Sequence, residues 1–344
     1  MDRHLLRTID ANTNRLCEGL RVLEDIARFR LDDRDLSEGF RKIRHNVRIR
    51  VREDFPRIES CRNTEEDIGK KFAPAANHRK LTEIVRSNAR RGQESLRVIE
   101  ENMRLAHPHR SVLFEKDRYR LYELEKTILS RLSRSIRARG LGVYVLVTEK
   151  LCRHSVEETL RRCAAAGAGA VQIREKDMSD ADLLAHCEKA RKLLSQSETL
   201  LIINDRPDIA AAVDADGVHL GQDDLPVSAA RTVLGSMAVI GKSTHNAGEA
   251  AAAKDECPDY IGAGPVASSP TKPGLTPSGL EYIREAASRF QIPVTAIGGI
   301  NRNNARAAIK AGADSLAICS AIISSENIEQ EITFYRNLIQ GDSE

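Results

Sequence analysis

The chain has 344 residues, 41% hydrophobic and 30% charged, which gives apolar material for a sizeable core and charge enough for solubility and excludes a disordered or fibrous chain. The net charge of +3 is unevenly spread: residues 1–140 carry 33 basic and 23 acidic side chains, about +10, and the remainder 20 and 27, about −7, which points to two domains. No run of about 18 apolar residues occurs and MDRHLLRTID lacks an apolar leader, while seven single cysteines without a C-x-x-C pair argue against zinc or a disulfide framework and for a reducing cytoplasm.

Residues 1–138 read as an all-α helical domain. Leu16, Leu20, Leu23 and Ala27 recur at helical spacing with charges between them. Thr64 to Asp67 and Ala73 to Asn77 look like connections. This half repeats itself: ANTNRLCEGLRVLEDIARF from Ala11 aligns with SNARRGQESLRVIEENMRL from Ser87 at an offset of 76 residues. A second helix follows each copy, so two related helical hairpins would form a bundle. Glu18, Arg21 and Asp25 share one helix face, as do Glu94, Arg97 and Glu101. These two sets suit either salt bridges on a solvated face or a polar site at the duplicated interface.

RSIRARG, residues 134–140, closes the helical run. Beyond it the pattern changes to short apolar strands at 142–148, 170–176, 199–205, 217–222, 239–244, 260–266, 293–300 and 315–322, mostly separated by helical segments. Eight alternating units over 139–344 predict a (β/α)8 TIM barrel, an α/β fold preceded by the helical domain. A doubly wound sheet is the alternative, but GVYVLVTEK lacks its glycine-rich first turn.

Active sites of such barrels lie at the C-terminal ends of the strands. The conspicuous polar residues fall there: Gln172, Arg174 and Lys176 on the second strand, Asn204 and Asp205 on the third, Asp224 past the fourth and Ser243 on the fifth. The loop SSPTKPG after the sixth carries Ser269, Pro270, Thr271 and Lys272. The seventh ends in Gly298-Gly299 and the eighth at Cys319-Ser320, where backbone N–H groups can approach a phosphate. Asp205 and Asp224 are hard oxygen donors suited to Mg2+ on a diphosphate, with helix-capping and turn roles as their plainer use. Arg174, Lys176 and Lys272 would converge on an anionic leaving group as the catalytic cations. His219, in mid-strand, reads as a packed or hydrogen-bonded barrel residue, and His245 carries no assigned role. The pattern suits displacement of diphosphate.

QIREK, IIND, GVHLGQDD, GKSTHN, GAGPV with SPTKPG, AIGGI and CSAI, in this order, closely resemble the thiamine phosphate synthase family over about 142–338. The resemblance implies condensation of hydroxymethylpyrimidine diphosphate with thiazole phosphate to thiamine phosphate and diphosphate, with Mg2+ as cofactor. It implies that Gln172, Arg174, Lys176 and Asn204 contact the pyrimidine diphosphate, that Asp205 and Asp224 hold the metal, that Ser243 contacts the pyrimidine and Lys272 its diphosphate. Ser269 and Thr271 would contact the thiazole phosphate, and Gly299, Cys319 and Ser320 would cup its phosphate through backbone amides. Ala267 replaces an aromatic residue, Ser269 a threonine and Cys319 a small aliphatic residue of the family pattern.

The helical half resembles an extension fused to this synthase in some bacteria and proposed to phosphorylate hydroxymethylpyrimidine phosphate. No P-loop or kinase glycine loop accompanies it, so a kinase-type and a purely structural role both stand. A thiazole tautomerase-like barrel and a non-enzymatic thiamine-linked binding protein are the rival functions. Interleaved acids and few aromatics speak against nucleic acid as a partner, no membrane partner is expected, and a homo-oligomer is compatible with the sequence.

Overall fold

The computed structural model describes residues 2–62, 79–268 and 276–341. The expected connections at Thr64–Asp67 and Ala73–Asn77 lie outside them. Two compact units emerge, Met1–Leu132 and Ser133–Glu344; the expected boundary at 138/139 lies further along the chain.

The first unit is built from α1 (Arg3–Phe29), α2 (Arg34–Asp54), α3 (Leu81–Ala106) and most of α4 (Pro108–Arg139). Asp2 and Asp33 cap α1 and α2 by accepting from His4 N and Leu36 N. Leu16, Leu20, Leu23, Phe40, Leu96 and Ile99 form its fully buried core. A Cβ at Gly19 would lie 3.0 Å from the Asn88 carbonyl oxygen, so this small residue lets α1 and α3 approach closely.

The repeat is visible in the hydrogen bonding. Asn12 and Asn88 each donate to the carbonyl four residues back, Thr8 and Ile84. Buried Glu24 accepts from Arg44 at 2.7 Å, and its equivalent, fully buried Glu100, from Arg118 at 3.0 Å, joining first to second helix in each copy, although Arg118 aligns with Lys42 and not with Arg44. The polar faces singled out in the sequence pair along their own helices: Arg21 with Asp25 at 3.3 Å and Arg97 with Glu101 at 2.6 Å. Exposed pairs of this kind contribute about 0.3–0.5 kcal/mol each.

In the second unit eight parallel strands close in sequence order: β1 (Val143–Val147), β2 (Ala170–Ile173), β3 (Leu200–Asn204), β4 (Gly217–Leu220), β5 (Val239–Thr244), β6 (Tyr260–Ala263), β7 (Val294–Ile297) and β8 (Ser315–Ile318). Helices α5 (Val156–Ala165), α6 (Asp180–Leu194), α7 (Pro207–Ala212), α8 (Val227–Leu234), α9 (Ala247–Glu256), α10 (Gly279–Arg289), α11 (Ala305–Lys310), α12 (Ser320–Ile323) and α13 (Ile328–Gly341) complete it. One core fills the space between strands and helices, with Val145, Val171, Ile203 and Ile261 among its members. A second fills the barrel interior, with Tyr144, Ile202, Val239 and Tyr260. Each β-branched run is therefore covered on both sides, as parallel strands require.

Seven of the eight expected strands are shorter than their sequence runs, β5 alone matching at 239–244, and two of the differences move site residues. β2 ends at Ile173, because its partner β1 ends at Val147, and Arg174 makes one last backbone bond to Val147 O. Arg174 and Lys176 thus stand on the following loop, not on the strand. β8 ends at Ile318, and Ser320 begins α12 instead of continuing the strand.

The N-terminal face carries a regular device. Asp216, Asp259 and Asp314 immediately precede β4, β6 and β8, and accept from Leu201 N, Ile240 N and Val294 N at the starts of neighbouring strands. The end of α4, which belongs to this unit from Ser133 on, supplies each with an arginine: Arg137 to Asp216, Arg134 to Asp259 at 2.9 Å, and Arg139 to Asp314 at 3.3 Å.

Candidate active site

A cavity of about 620 Å³ opens at the C-terminal ends of the strands. Gln172, Arg174, Lys176, Asn204, Asp205, Asp224, Ser243, Gly299, Cys319 and Ser320 all line it. Ser269, Pro270, Thr271 and Lys272 lie outside the described residues.

Asp205 follows the last residue of β3 with φ +61°, a left-handed conformation that aspartate tolerates better than most residues. Its N–H donates to His219 O at 2.8 Å, extending the β3–β4 ladder by one bond. Asp224 ends the GQDD turn, where its Oδ2 accepts from Gly221 N at 2.6 Å. A Cβ at Gly221 would stand 2.9 Å from that oxygen, so a side chain there would push the Asp224 carboxylate aside.

The two carboxylates meet. The Asp205 carboxyl is pushed up to about 6, first by burial, then by hydrogen bonding and charge from Asp224, against the opposing pull of Lys176 and Asn204. Lys176 Nζ lies 3.7 Å from Asp205 Oδ2. Two carboxylates this close repel unless a proton or a cation stands between them. Among the described residues no group of three or more metal-ligating side chains occurs. Two oxygen donors in an open cavity nevertheless fit Mg2+, which keeps several waters and takes one or two carboxylates plus phosphate oxygens.

The far turn is glycine by necessity. Gly298 and Gly299 have φ +89° and +67°, and added Cβ atoms would stand 2.5 Å from Pro265 Cβ and 2.7 Å from Ala267 O. Gly299 O accepts from the side-chain amides of Asn301 and Asn304 at 3.1 and 2.9 Å, which fixes the turn. Cys319 precedes α12, and burial pushes its thiol up to about 11.

Below the mouth the side chains of Gln172, Tyr144, Tyr260, His219 and Ser243 are hydrogen-bonded in a row. His219 thus stands among packed or hydrogen-bonded barrel residues, as expected from its mid-strand position, whereas neither tyrosine is marked by the sequence. Both tyrosines lie in uniformly apolar runs, which carry no alternation to mark Tyr144 and Tyr260 as facing the barrel interior. His245, also without a role in the sequence, lines the cavity and its Nδ1 is 2.7 Å from Glu249 Oε2.

Comparison with known proteins follows the two units. Residues 143–322 match the family model described as thiamine monophosphate synthase, and residues 7–127 match the ThiD2 family. A thiamine-phosphate synthase of Synechocystis sp. is 39% identical over 329 residues, covering 95% of this chain and 94% of that protein. One from Prochlorococcus marinus is 37% identical over 331 residues, covering 95% and 94%. A solved thiamine phosphate pyrophosphorylase from Pyrococcus furiosus superposes with a TM-score of 0.55 at 33% identity, covering 60% of this chain and 98% of that one.

Proposed function

Because the chain belongs to the thiamine-phosphate synthase family of transferases, we propose that its barrel mouth joins hydroxymethylpyrimidine diphosphate to thiazole phosphate. The observation that carries this assignment is the Asp205–Asp224 carboxylate pair beside Lys176, in the same cavity as the Gly298-Gly299 turn. One end suits a metal-bound diphosphate and the other a phosphate.

In this reading Asp205 and Asp224 would hold Mg2+, which when bound would supply positive charge beside the diphosphate. Arg174, Lys176 and Lys272 add charge to the same oxygens. Gln172, Asn204 and Ser243 hold the pyrimidine, and Ser269, Pro270 and Thr271 belong to the loop that meets the thiazole phosphate. Gly299, Cys319 and Ser320 receive that phosphate through backbone N–H groups. The methylene carbon–oxygen bond breaks with its electron pair leaving on diphosphate, and the thiazole nitrogen lone pair forms the new carbon–nitrogen bond. That nitrogen needs no general base, which suits a site of cations and carboxylates.

The full chain with both substrates and Mg2+ is expected to release thiamine phosphate and diphosphate in equal amounts, and no product under these conditions would overturn the assignment. A Gly299→Ala variant is expected to raise the KM for thiazole phosphate at least about tenfold, because the left-handed backbone and the Ala267 contact both resist a side chain; an unchanged KM would remove the turn from the phosphate site.

The carboxylate pair also predicts a pH dependence. Below about pH 6 a cation must displace the proton of the raised Asp205 carboxyl, so apparent Mg2+ affinity is expected to fall by up to about tenfold per pH unit and to level off above pH 6. Metal-free protein follows the opposite sign. A raised folded-state value stabilises at low pH, and that stability is lost as pH climbs from about 4 to about 6. Calorimetric titration with Mg2+ at pH 5 and pH 7.5 checks the first statement; equal affinities would separate Asp205 from the metal.

For the first unit, the ThiD2 match supports a kinase-type role that supplies the pyrimidine diphosphate. Hydroxymethylpyrimidine monophosphate, ATP, thiazole phosphate and Mg2+ are then expected to yield thiamine phosphate with the full chain; a product that forms only from the diphosphate would leave the bundle a structural role. No described helix is long and apolar enough to cross a membrane, and a cytoplasmic location is part of the proposal.

A further inference from the structure

Five side chains cross the barrel interior in one line. Gln172 Nε2 donates to Tyr144 Oη at 2.6 Å, the two phenol oxygens are 3.0 Å apart, Tyr260 Oη is 3.0 Å from His219 Nδ1, and His219 Nε2 is 2.9 Å from Ser243 Oγ. All five residues are buried, and Gln172, His219 and Ser243 line the cavity. The line starts on β2 and ends on β5, so no single segment of chain could hold it.

The barrel makes room for it at two glycines. A Cβ at Gly241 would come 2.1 Å from Tyr260 Cζ, and one at Gly262 would come 2.9 Å from His219 Cε1. The His219 and Tyr260 rings stack with centroids 5.5 Å apart. Burial pushes both phenols above their ordinary range, so each keeps its proton.

Proton counting then fixes a direction. A phenol has one proton and a neutral imidazole has one N–H. Tyr144 accepts from Gln172, so its proton goes to Tyr260. The Tyr260 proton goes to His219 Nδ1, which makes His219 the Nε2–H tautomer and a donor to Ser243. The Ser243 proton is left to point onward. Reversing any one bond requires turning every other member, because each hydroxyl and the neutral imidazole has a single proton to give and the Gln172 amide presents either its NH2 or its oxygen.

We propose that Tyr144, Tyr260 and His219 are positioning residues that lock Gln172 and Ser243 into opposite polarity, so that the cavity offers an acceptor, Gln172 Oε1, and a donor, Ser243 O–H, to an aminopyrimidine edge. An amino group beside a ring nitrogen is a donor beside an acceptor and matches this pair. The oxo analogue carries a carbonyl acceptor beside a ring N–H donor and meets it with both polarities reversed. A site that leaves buried polar groups unpaired rejects such a ligand far more strongly than one that merely misfits in size. The chain thereby deepens the functional reading above, on which the identity of the ring rests.

The test compares hydroxymethylpyrimidine diphosphate with its oxo analogue in the full-length protein. The wild type is expected to prefer the amino compound in kcat/KM by at least about 100-fold. Tyr144→Phe removes the acceptor that holds the Gln172 amide. It is expected to cut that preference at least tenfold and raise the KM for the pyrimidine diphosphate, leaving the KM for thiazole phosphate unchanged. An unchanged preference in a folded Tyr144→Phe protein overturns the proposal. A second measurement needs no variant: the 15N shifts of His219 in the wild type are expected to show a protonated Nε2 and an accepting Nδ1. The opposite tautomer, or two protonated nitrogens, overturns it equally. If the wild type condenses neither compound, the functional reading fails instead, and the nitrogen shifts still decide the chain.

Discussion

Asp205→Asn is expected to lower synthase turnover by about 10²–10⁴-fold while leaving the metal-free protein at least as stable as the wild type. The two effects have one origin. The Asp205 carboxylate stands against that of Asp224, a repulsion that the proposed cation would relieve. Asparagine keeps the shape, removes the charge and accepts φ +61° as readily as aspartate. Alanine would confound the result by straining the left-handed backbone. Stability is measured by thermal unfolding in EDTA and turnover in saturating Mg2+. Wild-type turnover would show that the pair is not the metal site, and a large loss of stability would show that the carboxylate is structural. A rise in stability with a loss of activity is the usual sign of a strained functional group.

The second large effect concerns where the barrel begins. A fragment starting at Gly140 is expected to fold poorly, whereas one starting at Ser133 keeps the barrel's thermal midpoint. The difference is Arg134, Arg137 and Arg139, which meet Asp259, Asp216 and Asp314 on the N-terminal face. Asp259 is the critical one, with its side chain 3% exposed and that of Arg134 6%. Removing one partner of a buried pair costs about 3–5 kcal/mol, here reduced because Arg231 also holds Asp259 at 2.6 Å. In the full chain, Arg134→Met is therefore expected to cost about 2–3 kcal/mol. At roughly 2–4 °C per kcal/mol for a domain of this size, the midpoint would fall by about 4–12 °C. Equal midpoints for the two fragments would show that the arginines decorate the barrel without supporting it.

These two results also mark what the sequence discloses. The eight strands were legible because each apolar run is buried on both faces and the connections are short. The mouth residues were legible because a closed parallel barrel brings all strand C-termini to one rim; Gln172, Asn204 and Ser243 needed only their strand positions. Arg174 and Lys176 were placed on the rim correctly but on the wrong element, since the length of β2 is set by β1 and not by its own alternation. The arginine–aspartate device was not legible, because Arg134 and Asp259 are 125 residues apart. Its trace is an aspartate immediately before each of three strands. The tyrosines were hidden differently: Tyr144 and Tyr260 sit in runs that any core strand could show, and only closure of the barrel sets their hydroxyls 3.0 Å apart.

The sulfur of Cys319, at the proposed phosphate end of the cavity, has a practical corollary. Burial pushes the Cys319 thiol up to about 11, so it stays almost wholly protonated at neutral pH, and only the thiolate reacts readily. Alkylating reagents should therefore mark the exposed Cys257 long before they reach Cys319 in the cavity, and synthase activity should outlast the first equivalent of iodoacetamide.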